Sequence, residues 1–223
     1  MAEPGVAGRT VLVTGATGSA GRVVVRALLE AGARVVAVGS DEDRLDALEA
    51  ELPGAVGERA DLADGDDVLE LAMRVHARVG DIDGVIHLVG GWRGGGGIPG
   101  QSDEDYRFLE RSFAALRHVS RAFWDDLLAS HAGRIAMVSS TTVAAPTAGG
   151  ANYAAVKAAS ETWMRSLAHG FTTAGATAGA TAAAVTFRVR ALAGLEGRLA
   201  ASVVDLWRAD AATLNGTVTE LTA

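Results

Sequence analysis

One turn restricts the fold of this chain more than any other feature. Between the β-branched run Thr10–Thr14 and an apolar run at helical spacing over 22–31 stands Thr14-Gly15-Ala16-Thr17-Gly18-Ser19-Ala20-Gly21. A second short apolar run follows at 34–38, so the opening segment predicts strand, glycine turn, helix, strand. The alternation continues to the end of the chain. Amphipathic helices are expected over 43–52, 66–79, 103–130, 152–170 and 196–209, and strands over 55–60, 84–89, 134–139, 183–188 and 217–221. Strands interleaved with helices in this way predict an α/β architecture: a doubly wound parallel sheet of about seven strands with helices on both faces. No stretch reads as an interdomain linker, so residues 1–223 are expected to form a single domain. Two segments interrupt the pattern: a glycine-rich loop over 90–100, and a run of Ala, Gly and Thr over 174–184 that is expected to be an exposed turn.

Composition removes several functional classes. With 223 residues the chain can bury a large core, and with no cysteine it has neither a disulfide framework nor a thiolate site. The net charge is −7 and the arginines are scattered, which argues against nucleic acid as a partner. No apolar stretch approaches the roughly 20 residues that span a bilayer, and the start of the chain lacks a secretory pattern, so a cytoplasmic protein without a membrane partner is expected. The five histidines show no metal-ligand spacing and there is no Gly-x-Ser-x-Gly elbow, so neither a metal centre nor a serine hydrolase is expected.

The glycine turn has a plain reading as turn chemistry and a functional one as a dinucleotide cradle. Gly15 allows the tight turn, Gly18 the close approach of backbone to a pyrophosphate, and Gly21 the packing of helix on strand, while the helix N-terminus offers free N–H groups to the anion. Its position at the first strand-to-helix turn favours the dinucleotide. The second strand ends Val38-Gly39-Ser40, without the acid that commonly holds an adenosine ribose 2′-hydroxyl, and Arg22 lies near the turn. These residues favour NADP(H), whereas Asp41 just beyond keeps NAD(H) open. Asp61 is expected either to accept a hydrogen bond from adenine or to cap a helix.

Tyr153 and Lys157 stand four apart near the start of a helix and so share a face. Lys157 is the only lysine in the chain. Ser140 lies thirteen residues before the tyrosine, at the C-terminal end of a strand, where doubly wound folds place their sites. Together with the glycine turn, these three residues resemble the short-chain dehydrogenase/reductase family, a resemblance that covers the chain from Thr14 to about Leu221. It implies a Rossmann fold and hydride transfer between a nicotinamide cofactor and a small-molecule carbonyl or alcohol substrate. Tyr153 would be the general acid/base, and Ser140 would polarise the carbonyl. Lys157 would bind the nicotinamide ribose and favour the phenolate of Tyr153. The implied cofactor contacts are Gly15, Thr17, Gly18, Ser19, Gly21, Arg22, Ser40, Asp61, Leu62 and Gly90, with Tyr153 and Lys157.

The chain departs from the family pattern in three places. His87-Leu88-Val89-Gly90 replaces Asn-Asn-Ala-Gly after the fourth strand, and His87 is read either as a packed, hydrogen-bonded residue or as a contact to substrate or cofactor. The run from Val89 to Gly95 is similar to the matching segment of dihydropteridine reductases, and Trp92 could stack on a flat substrate with Arg93 as its polar anchor, or simply cap the core. The long helix lacks the family's relay asparagine near Ser112 and Phe113, so protons are expected to come directly from solvent. Finally, residues 188–194 lead almost directly to the last helix, which predicts a shortened substrate lid. The alternative function is a cofactor-binding regulatory or scaffold protein with little turnover. By the same resemblance a homodimer or homotetramer is expected. Phe108, Leu109, Phe113, Leu116, Phe123 and Trp124 would supply its surface or else cover their own sheet.

Overall fold

The computed structural model describes residues 5–178 and 181–222. Seven strands form one sheet in the order β3-β2-β1-β4-β5-β6-β7, and every neighbouring pair is parallel. The strands are β1 (Thr10–Thr14), β2 (Arg34–Gly39), β3 (Ala55–Arg59), β4 (Gly84–His87), β5 (Arg134–Ser140), β6 (Ala183–Val189) and β7 (Val218–Glu220). The central strands are buried along almost their whole length, which is why they read as continuous apolar runs rather than as alternation. The strand order reverses at β1, which lies between β2 and β4, and the crevice above that point is where such sheets bind ligands.

The helices are α1 (Ser19–Glu30), α2 (Glu42–Glu51), α3 (Gly65–Val79), α4 (Asp103–Ala122), α5 (Trp124–Ala129), α6 (Ala151–Ala178), α7 (Glu196–Asp205) and α8 (Ala211–Leu214). Val24 and Leu28 of α1 join Leu199 and Val203 of α7 in the core on one face of the sheet. Leu71 of α3, Leu116 of α4 and Phe171 of α6 fill the core on the other. Side chains start the helices where the sequence supplies them: Asp41 caps α2, Asp64 caps α3 and Ser102 caps α4. The cap of α3 is therefore Asp64 and not Asp61.

Two expected elements differ. The helix read over 103–130 is broken at Phe123, fully buried, where the chain leaves helical geometry between α4 and α5. The apolar spacing runs straight through the break, so periodicity could not reveal it. Residues 174–178 of the expected exposed turn instead prolong α6, and residues 179–180 lie outside the described residues. Alanine favours helix strongly, and the hydroxyls of Thr172, Thr173 and Thr177 donate back to carbonyls four residues earlier, so these threonines need no other partner. The candidate interface residues divide: Leu109, Leu116 and Phe123 cover their own sheet, whereas Phe108 is exposed. Among the described residues no helix is long and apolar enough to cross a membrane.

Candidate active site

The turn after β1 is shaped by close backbone approaches. Gly15 has φ +70°, and a Cβ there would stand 3.0 Å from the Leu88 carbonyl. At Gly21 a Cβ would stand 2.3 Å from the Gly15 carbonyl oxygen, so α1 packs on the turn backbone to backbone. The helix begins after Gly18 without a side-chain cap, which leaves its first donors for a ligand. Gly15, Thr17 and Gly18 line a groove of about 680 Å³ that runs past the end of β2 at Ser40 to Asp61 and Leu62 and back to Gly90. Three arginines also line it, Arg44, Arg59 and Arg111. The residues present therefore fit an anionic dinucleotide: a glycine cradle, an uncapped helix N-terminus and a basic groove.

Not every expected contact lies in this groove. Ser19 is exposed outside it, Gly21 acts in packing, and the Arg22 guanidinium is paired with Glu51 at 2.5 Å. The cations at the end of β2 are instead Arg44, which donates to the Thr17 carbonyl at 2.9 Å, and Arg59. Asp41 accepts from the Arg44 backbone N–H at 3.0 Å and is occupied as a helix cap. Asp61 meets Arg111, one nitrogen of which reaches both carboxylate oxygens at 2.8 Å; this hydrogen bond holds the Asp61 carboxyl below its usual range.

At Leu88, Val89 and Gly90 the groove joins a second cavity of about 410 Å³. Ser140, Tyr153 and Lys157 all line this cleft. Ser140 closes β5, and its Oγ accepts from the backbone N–H of Thr142 at 3.2 Å and from the Thr142 hydroxyl at 3.0 Å. The Ser140 proton is thus left to donate elsewhere. Thr142 is a cleft residue the spacing argument did not single out. Ser139, next to Ser140 on β5, faces the other way, donating to Glu161 at 2.7 Å. The Lys157 ammonium donates to the Val138 carbonyl at 2.9 Å and stands 5.8 Å from the centre of the Tyr153 ring. Burial lowers Lys157 to about 8, against the carboxylate of Glu161, which raises it. Burial also pushes the Tyr153 phenol up, and the nearby Ser140 hydroxyl offsets part of that rise. The phenol is thus raised, not lowered as the Tyr153 and Lys157 spacing predicts: burial is the larger influence on it, and the group that opposes burial is Ser140 and not Lys157.

A buried network supports the cleft from below. Glu161, one turn beyond Lys157 on α6, accepts from Ser139 and from two nitrogens of Arg188 at 2.8 and 2.5 Å. It ties the ends of β5 and β6 to α6. His87 is 4% exposed. Its Nε2 must donate to the Ser112 carbonyl at 3.2 Å, so its Nδ1 accepts from the Thr14 hydroxyl at 2.9 Å. Burial first, then the Lys157 charge, lower His87 to about 3, so it is a neutral, packed residue.

The expected substrate residues separate. Trp92 lines the cleft with 65% of its surface exposed, so it does not cap the core. Arg93 is not in the cleft; it lies 4.1 Å over the Phe108 ring and pairs with Asp105 at 3.3 Å. The glycine-rich loop around them is pinned to the start of α6 by Gln101, which donates to the carbonyls of Gly95 and of Gly149, just before the helix, at 3.0 Å each, and accepts from the Asn152 backbone N–H at 3.0 Å. After β6, residues 190–195 run directly into α7, so no lid helix covers the cleft between these two elements. At the opposite end of the strands, just before the start of β4, His76, Asp81 and Asp126 converge within 4.8 Å, a grouping that sequence spacing hides.

A parallel sheet with a glycine cradle at its reversal point and a basic groove beside it defines a dinucleotide-binding α/β protein. The family can be named more closely. Residues 9–187 match the family model described as short chain dehydrogenase, and the chain belongs to that family of oxidoreductases. It is 29% identical over 174 residues to the 3-oxoacyl-[acyl-carrier-protein] reductase FabG of Salmonella typhimurium, covering 76% of this chain and 70% of that protein. Nodulation protein G of Rhizobium meliloti is 31% identical over 176 residues, with the same coverage. Among solved structures, a short-chain type dehydrogenase/reductase from Mycobacterium ulcerans superposes with a TM-score of 0.85 at 21% identity, over 97% of this chain and 89% of that one.

Proposed function

We propose that the chain is an NADP(H)-preferring carbonyl reductase or alcohol dehydrogenase in which Tyr153 is the general acid/base. The observation that carries this reading is the meeting of Ser140, Tyr153 and Lys157 in one cleft that opens into the basic groove at Leu88 to Gly90. When bound, the nicotinamide supplies or takes up the hydride. The Ser140 hydroxyl, its acceptor capacity already used by Thr142, donates to the substrate carbonyl oxygen and polarises it. Tyr153 Oη then gives its proton to that oxygen as negative charge develops there. A raised phenol is protonated at neutral pH and suited to act as the acid in reduction. Lys157 holds the ribose end of the site and adds positive charge beside the phenol. The long helix offers no asparagine for a proton relay, so Tyr153 is reprotonated from solvent through the open cleft.

Preference for the 2′-phosphate is supported by Ser40, Arg44 and Arg59 at the end of β2 and by the engagement of Asp41 as a cap. An apolar hollow between α4 and α6, bordered by Trp124, Trp163 and Leu167, supports assembly into a homodimer or homotetramer. The test of the catalytic assignment is Tyr153→Phe. It should lower NADPH-dependent carbonyl reduction on the order of a hundredfold or more while leaving the Kd for NADPH unchanged. Retained turnover refutes the role of Tyr153, and cofactor binding without reduction of any carbonyl by the wild type favours a scaffold protein.

A further inference from the structure

The polarity of the cleft is unlike that of the chain. The whole protein carries a net charge of −7, yet the cleft is lined by two cations, Lys157 and Arg190, and by no carboxylate. Lys157 is committed to the Val138 carbonyl and lies beside Tyr153. Arg190 is exposed in the first segment after β6, and among the described residues its guanidinium has no hydrogen-bonding or ion-pair partner. The contrast with Arg188, two residues earlier and locked on Glu161, shows that carboxylates are available nearby and that Arg190 is not held by one.

Sheet order fixes what surrounds the reacting position. β5, which ends in Ser140, lies between β4 and β6, so the segment after β4 supplies Trp92 to one side of the cleft and the segment after β6 supplies Arg190 to the other. Trp92 presents a largely exposed indole. Arg93, the anchor expected from sequence, is engaged with Phe108 and Asp105 outside the cleft. The volume of about 410 Å³ must also admit the nicotinamide end of a cofactor, which leaves room for a small substrate only. A guanidinium fork suits a planar carboxylate, and an indole face suits a flat apolar group.

We propose that Arg190 is an anion anchor for the substrate, and that the cleft takes a small, flat carbonyl compound bearing a carboxylate, held by Arg190 at one end and covered by Trp92 at the other. The inference rests on the carbonyl-reductase reading above. It adds a specificity-determining residue and a substrate class.

The experiment compares benzoylformate with its neutral methyl ester by titration calorimetry on the protein saturated with NADP+, where no reduction occurs. The acid should bind more tightly than the ester by on the order of tenfold, and Arg190→Gln should erase that preference without changing the Kd for NADP+. Arg190→Lys should restore part of it, and added salt should weaken the acid but not the ester. Equal affinity for acid and ester, failure of both to bind, or a preference that survives Arg190→Gln overturns the proposal. So does a parallel loss of NADP+ affinity, which would give Arg190 to the cofactor. The expected binding pattern in a protein that reduces no carbonyl would refute the catalytic reading and leave the anchor standing.

Discussion

Acid should destabilise this protein through His87 in a way that can be isolated. The ring is buried at the end of β4, where His87 pairs with Thr14 of β1, and it is neutral, with its two nitrogens committed to Thr14 and Ser112. Its value falls from 6.5 to about 3, because burial and then the Lys157 charge oppose a second proton. In the unfolded chain the imidazole takes up a proton near its ordinary value, so the contribution of neutral His87 is complete above that value and is lost as the pH falls towards 3. The full gap corresponds to about 5 kcal/mol, and between pH 7 and about pH 4.5 roughly 2.5 kcal/mol of it should be lost. Denaturant unfolding at the two pH values, for wild type and for His87→Asn, measures this directly. The asparagine can still donate and accept but does not titrate, so the wild type should lose about 2.5 kcal/mol more than the variant on acidification, whatever the variant costs at pH 7. Equal losses in the two proteins, or a His87 ring resonance that titrates near its ordinary value in the folded state, would refute the argument.

Further outcomes follow from the same geometry. Glu161→Gln should cost about 2 kcal/mol in denaturant unfolding, less than breaking a fully buried pair would, because Arg188 keeps 25% of its side chain exposed. Because the Glu161 charge raises Lys157, its removal should lower that amine below about 8 and move the alkaline limb of the pH–rate profile to lower pH. Gly21→Ala drives a Cβ to 2.3 Å from a backbone oxygen that no side-chain motion can relieve, so a loss of about 3 kcal/mol or more, or failure to fold, is expected in thermal unfolding. Arg44→Ala should weaken NADPH by on the order of tenfold in fluorescence titration and leave NADH almost unaffected. Equal weakening of both would show that Arg44 does not read the 2′-phosphate.

The parts of the fold that were legible in sequence are those in which each residue reports its own environment. Buried parallel strands are apolar throughout, and the glycine turn is written in residues that no other geometry demands so strongly. Ser140, Tyr153 and Lys157 were legible because their spacing follows from a strand end and a helical turn. Elsewhere the information lies between distant segments. Phe123 keeps the helical apolar rhythm while the backbone bends around it. Arg22 is near the glycine turn in sequence, but Glu51 draws it away, whereas Arg44 and Arg59 reach the groove from other elements. Asp61 has a partner fifty residues away in Arg111, and the three groups at His76, Asp81 and Asp126 meet only once the chain is folded.

The isolation of Lys157 has a consequence for chemical labelling. It is the only lysine of the chain, and its ε-amine lies in the cleft with a value of about 8. An ε-amine elsewhere would be almost wholly protonated at neutral pH, whereas here roughly a tenth is the neutral, nucleophilic form, a share that grows as the pH approaches 8. An acylating reagent small enough to enter the cleft therefore has one side-chain amine to modify, and that amine stands beside Tyr153. Mass added to that peptide reports occupancy of the cleft without any knowledge of the substrate.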